Sequence, residues 1–173
     1  MRLFARGPVV PDEVLRRAGL PSGEKVLAAC PTRDASWLLG TRTAFVAVPA
    51  EGEPTRIPWE RVESADWSRE DERLRVNEVG DFGHLRPVHI FTVDEPATLL
   101  PFVRERVTAT VVLQRRVTVR GRQGLTVIGR RTPDGGEITW AYQLDPGLDP
   151  DDPEVRRLAE AGLRAAAEEL GLS

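Results

Sequence analysis

The sequence predicts an α+β fold, and three observations predict it. Short apolar segments recur at spacings near ten residues between Lys25 and Val93, the pattern of a small barrel or sandwich. Residues 111–144 read as longer strands joined by glycine-rich turns, a meander. Segments with helical spacing precede, separate and follow these two β regions.

Pro11 to Ala18 reads as a short helix. Pro11 suits its first position, Asp12 and Glu13 favour the positive end of its dipole, and Gly19 supplies a left-handed stop. Strands follow at Lys25 to Cys30, Ser36 to Leu39 and Thr43 to Val48, the last two joined by a turn at Gly40-Thr41-Arg42. Glu51-Gly52-Glu53-Pro54 is a turn. Further strands are expected at Thr55 to Pro58, Val62 to Trp67, Arg73 to Asn77 and Pro87 to Val93, with Pro58 at a strand end because it donates no ladder hydrogen bond. Asp94 to Ala109 has helical spacing through Leu99, Leu100, Val103 and Val107. Asp94 suits its cap, and Pro101 forces either a later start or a bend.

In the final third, Val111 to Arg120 and Leu125 to Arg131 are joined by Gly121-Arg122-Gln123-Gly124. Pro133-Asp134-Gly135-Gly136 then turns into Glu137 to Leu144, where Ile138, Trp140, Tyr142 and Leu144 alternate with more polar residues. Asp152-Pro153 starts a helix whose apolar side runs through Val155, Leu158, Ala159, Gly162, Ala166 and Leu170 to a stop at Gly171. We expect residues 1–173 to form a single domain, with 1–109 (first helix, barrel and closing helix) packed on 110–173 (meander and terminal helix).

The totals exclude several classes. A globular chain of 173 residues buries roughly 70% of its unfolded surface and folds without a disulfide or metal. Net charge is −3, so bulk electrostatics does not make it a polyanion binder. One cysteine, Cys30, makes no internal disulfide, which fits a reducing compartment. The N-terminal Met1-Arg2-Leu3-Phe4-Ala5-Arg6-Gly7-Pro8 is interrupted by Arg6 and reads as no signal peptide. No stretch reaches the ~20 apolar residues of a membrane span. A cytoplasmic location is expected. Cys30, His84 and His89 match no metal-ligand spacing, and no cofactor is expected.

Three segments carry a resemblance to a known fold: Gly23-Glu24-Lys25-Val26-Leu27, then Leu39-Gly40-Thr41-Arg42 leading into Thr43 to Val48, then Ile57-Pro58-Trp59-Glu60-Arg61-Val62. Their order, closed by a helix near Pro101, resembles bacterial pleckstrin-homology-like domains. The whole chain is also similar to small proteins of high-GC Gram-positive bacteria that end in an Asp-Pro-rich loop and helix. The resemblance implies a split β-barrel closed by a helix, here extended by a three-stranded antiparallel meander and a C-terminal amphipathic helix. It also implies a binding or scaffolding module rather than an enzyme. Phosphoinositide binders of that fold place several basic residues in the first hairpin loop. Here Pro31 to Ser36 offers Arg33 beside Asp34, and no ligand residue is implied.

Charge segregation is the most informative feature. Arg104 to Arg131 holds eight arginines and one acid, net +7, whereas Thr132 to Glu154 holds seven acids and no base, net −7. Arg115, Arg116, Arg120, Arg122, Arg130 and Arg131 are the candidate binding residues, because arginine forks grip phosphate and carboxylate. The opposite reading is mutual neutralisation by the neighbouring acidic strand and loop. The basic strands carry no aromatic platform for single-stranded bases, which disfavours nucleic acid. The expectation is therefore a non-enzymatic interaction module for a protein partner, touching the meander or an open strand edge, with a homodimer as an option. The alternatives are anion or nucleic-acid binding through the arginine-rich hairpin 115–131, and a small enzyme using His84 or Cys30. Asp81-Phe82-Gly83 matches the metal-binding tripeptide of protein kinases, but no glycine-rich loop or catalytic segment precedes it. Trp37, Trp59, Trp67 and Trp140 either line a pocket or build the core.

Overall fold

A computed structural model describes residues 9–172. The segment Met1 to Pro8, on which the leader reading rests, lies outside the described residues. The described residues divide into two compact units, one of residues 9–78 and 88–108, the other of 79–87 and 109–172.

In the first unit, α1 (Asp12–Ala18) ends at Gly19, whose φ of 58° is left-handed and whose N–H bonds the Arg16 carbonyl. Arg17 fastens α1 to the loop after the third strand by donating to the carbonyls of Ala50 (2.8 Å) and Gly52 (3.1 Å). An antiparallel sheet follows in the order β1 (Val26–Pro31), β2 (Trp37–Thr41), β3 (Ala44–Val48) and β4 (Thr55–Pro58). All five residues of β3 are buried, because both faces of this sheet are covered. Phe45 and Ala47 point into the main core, while Ala44, Val46 and Val48 meet Val14, Ala18 and Leu20 on the α1 side. This is the two-residue strand period with apolar side chains on each face.

Pro58 ends β4, and a 3-10 turn, Trp59–Arg61, carries the chain into a second antiparallel sheet. That sheet runs β5 (Val62–Ser68), β6 (Arg73–Glu78), β7 (Val88–Thr92). Trp59 fills the main core and donates its indole N–H to the Thr41 carbonyl at 3.0 Å. The helix α2 (Leu99–Thr110) adds Leu99, Val103 and Val107 to that core. It begins at Leu99, close to the later start that Pro101 allowed rather than at Asp94. Pro101 therefore falls in the first turn, where a missing N–H costs no helical hydrogen bond.

The expected pleckstrin-homology-like barrel is not formed. Among the described residues there are three separate antiparallel sheets, and none closes. β4 and β5 do not pair, since Pro58 and the 3-10 turn intervene. The β-bulge of β5 between Val62 and Ser64 and that of β1 between Val26 and Ala28 also interrupt the ladders at sheet margins.

The second unit holds the third sheet, β8 (Val111–Arg120), β9 (Gln123–Arg131) and β10 (Ile138–Leu144), with β9 central. The β8–β9 turn is tighter than expected, with Arg120 opposite Gln123 and Gly121 at φ 55°. The helix α3 (Pro153–Glu169) lays Val155, Ala159 and Ala166 on Leu125 and Val127. Asp152 caps it by accepting the Glu154 N–H at 2.8 Å. Its end is a Schellman motif: Gly171 N–H bonds Glu168 C=O (3.0 Å) and Leu172 N–H bonds Ala167 C=O (2.8 Å). Ile128 and Ala141 pack on the other face of the sheet with Val79 and Val111.

Candidate interaction surfaces

The six candidate arginines have different fates. Arg116 grips Asp145 with both terminal nitrogens, Nη1 at 2.9 Å from Oδ1 and Nη2 on Oδ2. Asp145 also accepts the Gly124 N–H at 2.9 Å. These contacts hold its carboxyl down at about 2, the Arg116 guanidinium first and the Gly124 amide next. Arg120 reaches Asp152 at 2.5 Å and Glu154 at 3.2 Å, and Arg115 reaches Glu169 at 3.2 Å. Three of the six thus face carboxylates of the segment that follows the sheet or of α3. Arg122 forms no ion pair among the described residues; only its carbonyl is used, by Arg116 at 3.4 Å. Arg130 is 4% exposed and donates to Thr110 Oγ1 at 3.0 Å. Arg131 is half-buried, with Nε lacking a partner. The structure therefore brings Arg116 to Asp145 and Arg120 to Asp152 and Glu154, and sets Arg130 and Arg131 apart from them.

The two residues of the enzyme alternative lie in different units. Cys30 is buried, its thiol donating to the Pro31 carbonyl at 3.3 Å. Burial first, and the Asp94 carboxylate second, push that thiol up, away from the nucleophilic thiolate. His84 is exposed, with Nδ1 3.1 Å from the Phe82 carbonyl. It lines a cavity of about 390 Å³ with Phe82, Tyr142 and Asp145. His89 bonds Glu78 through Nε2 at 2.6 Å. Arg33, in the first hairpin loop, is held by Glu72 (2.6 Å) and Asp94 (2.5 Å). Among the described residues, no group of three or more His, Cys, Asp or Glu side chains gathers to hold a metal. No described helix is long and apolar enough to cross a membrane.

A surface that the motifs did not single out appears in the sheet margins. A strand edge offers unpaired N–H and C=O groups, and proteins blunt it with bulges, prolines, charges or a covering segment. β1 has a bulge and Pro31, β4 is four residues long with Arg56 and Pro58, and β5 has a bulge with Glu63 and Asp66. β8 has two bulges and three arginines, and β10 has its Tyr142 carbonyl covered by Arg86 Nη2 at 2.8 Å. β7, Val88-His89-Ile90-Phe91-Thr92, carries no bulge, proline or carboxylate, lysine or arginine side chain.

The direction of its backbone follows from two bonds. Val93 N–H reaches the Glu72 carbonyl at 2.9 Å, so odd-numbered residues point toward β6; the Thr92 carbonyl accepts Arg33 N–H at 3.0 Å, on the opposite side. Alternation then places the N–H and C=O of Val88 and Ile90 on the outer edge. Their side chains are 48% and 51% exposed. Opposite them in β6 stand Asn77 and Arg75, and a shallow cavity of about 330 Å³ lies on this face, lined by Trp67, Arg73, Arg75 and Ile90 among others. In sequence, the only trace of this was an apolar strand without a charge.

No family model, no curated protein and no solved structure matches the chain.

Proposed function

We propose that the chain is a non-enzymatic interaction module that holds a protein partner by strand addition at the outer edge of β7. The observation that carries this reading is the open Val88–Ile90 stretch of that edge, next to Thr92, whose outward carbonyl already accepts the Arg33 N–H. Val88 and Ile90 present main-chain donors and acceptors outward beside half-exposed β-branched side chains. An added strand supplies main-chain hydrogen bonds for affinity, and side-chain positions on alternate residues give selectivity. The ion pairs of Arg115, Arg116 and Arg120 with acids of the same chain support this reading over the anion-binding one. A reducing, cytoplasmic setting is the companion proposal, supported by the single buried thiol of Cys30.

The test places a photo-reactive amino acid at Ile90 and, separately, at Thr118 on β8, in the cell that makes the protein. A discrete cross-linked protein is expected from position 90 and not from 118, and Val88→Lys is expected to abolish it. Equal labelling from both positions, or none from position 90, would overturn the proposal.

A further inference from the structure

Resting on the strand-addition reading, we infer that the occupant of the β7 edge is an extended segment of a partner protein that alternates acidic and apolar residues. The charges around the edge select this chemistry. On the solvent face the rows across the sheet are Asp66–Arg75–Ile90 and Ser68–Arg73–Thr92. One acid, Asp66, thus lies on β5, the far strand, and a second, Asp71, in the β5–β6 turn, whereas both guanidinium groups are on β6, next to the open strand. Arg75 stands opposite Asp66 in register, yet neither Arg73 nor Arg75 makes an ion pair among the described residues, and both are exposed. Of the other cations near this end of the sheet, Arg33 is held by Glu72 and Asp94, and Arg69 lies over the Trp67 ring, 5.7 Å from its centroid.

An incoming strand would lie about 4.8 Å beyond β7 and therefore roughly 9.6 Å from β6. Residues paired with Val88 and Ile90 share their face. A glutamate there lays its methylenes on the exposed Ile90 side chain and extends its carboxylate toward an arginine crossing from β6, a span that two long side chains close. Residues between these glutamates turn to the opposite face, beside the stacked rings of His89 and Phe91, where apolar side chains fit. The alternation of the strand thus converts one row of arginines and one row of rings into an acidic–apolar pattern. A second copy of this chain is the poorer occupant. Its own β7 would place Val88 and Ile90 where the carboxylates belong and leave Arg73 and Arg75 unanswered.

Three acetylated and amidated heptapeptides distinguish the outcomes, alternating valine with glutamate, threonine or lysine. Each is titrated into the uniformly 15N-labelled chain at low salt while amide exchange at Val88 and Ile90 is followed. The glutamate peptide is expected to protect both amides and to bind about fivefold tighter than the threonine peptide, the effect of two exposed charge pairs. That advantage should vanish at high salt, and the Arg73→Glu, Arg75→Glu double variant should prefer the lysine peptide instead. Equal protection by all three peptides would overturn the acidic partner and leave strand addition standing. Protection that grows with protein concentration alone would do the same, by assigning the edge to a second copy. Absence of protection with every peptide would overturn both readings.

Discussion

Glu24 shows how one side chain sets a condition for the fold. Its Oε1 receives Thr41 Oγ1 at 2.6 Å and Thr43 Oγ1, and Arg56 Nη2 lies 3.1 Å from Oε2. Burial alone would raise this carboxyl, but the two hydroxyls and the guanidinium outweigh it and hold the group near 2, below its ordinary 4.5. The Glu24 side chain is 7% exposed and that of Arg56 37%, so solvent screens the hydroxyl bonds little and the ion pair more. A depressed folded value means that the stabilisation is complete above the unfolded value and is lost as pH falls from about 4.5 to about 2. The shift corresponds to roughly 3 kcal/mol. Glu24→Gln is expected to lower the urea midpoint at pH 7 and to flatten the decline of stability between pH 5 and 2; an unchanged pH profile would remove Glu24 as its cause. Only the turn at Gly40-Thr41-Arg42 was visible in sequence. The carboxylate's partners lie 17, 19 and 32 positions away, and pairing at such distances is a product of the fold. The same limit hid the β7 site: the strand from Pro87 to Val93 was readable, but which of its margins lies open depends on which strand pairs beside it.

At the scale of elements, legibility tracked locality. The terminal helix was readable because its signals are all near in sequence: Asp152-Pro153 at one end, an apolar stripe, and Gly171 at the other. The meander was readable from the alternation of Ile138 to Leu144 and from its glycine turns, although the hairpin turn proved shorter than expected. The barrel was misread because closure requires β4 to pair with β5, and the proline that was correctly placed at a strand end is part of what prevents it. How α3 meets its sheet yields a prediction. A Cβ on Gly162 would fall 2.6 Å from Val117 Cγ2 and 3.2 Å from Val127 Cγ2. Valine is stiff at χ1, so these methyls yield only if α3 lifts from the sheet. Gly162→Ala gains about 1 kcal/mol of helix propensity and incurs about 1–3 kcal/mol of overpacking. A net fall in thermal midpoint is expected, and a rise would mean that α3 adjusts without strain.

Across the whole molecule, the net charge of −3 conceals a basic stretch and an acidic one that meet in part, through Arg116 and Arg120. Sequence located both stretches but left open whether they meet. In the structure, Arg116 and Arg120 are engaged by Asp145, Asp152 and Glu154, each pair partly open to water. Such exposed pairs add little to stability; their consequence is that phosphate finds these guanidinium groups occupied. Removing the competing charges while keeping the shapes tests this directly. In Asp145→Asn, Asp152→Asn, Glu154→Gln, the asparagine at 152 still caps α3, the amide oxygen at 145 can still accept the Gly124 N–H, and the net charge rises from −3 to zero. Arg116 and Arg120 are then released beside Arg122, which forms no ion pair among the described residues. The wild-type chain is expected not to retard a single-stranded oligonucleotide at low salt. The triple variant is expected to bind it weakly, with a log–log salt slope near −2, about 0.7 for each of three phosphates. Binding by the wild type with that slope would show that the acids do not occupy the arginines. A variant that stays folded and still does not bind would show that the strand lacks the geometry for phosphate even when uncovered, and would leave neutralised surface charge as the whole meaning of the segregation.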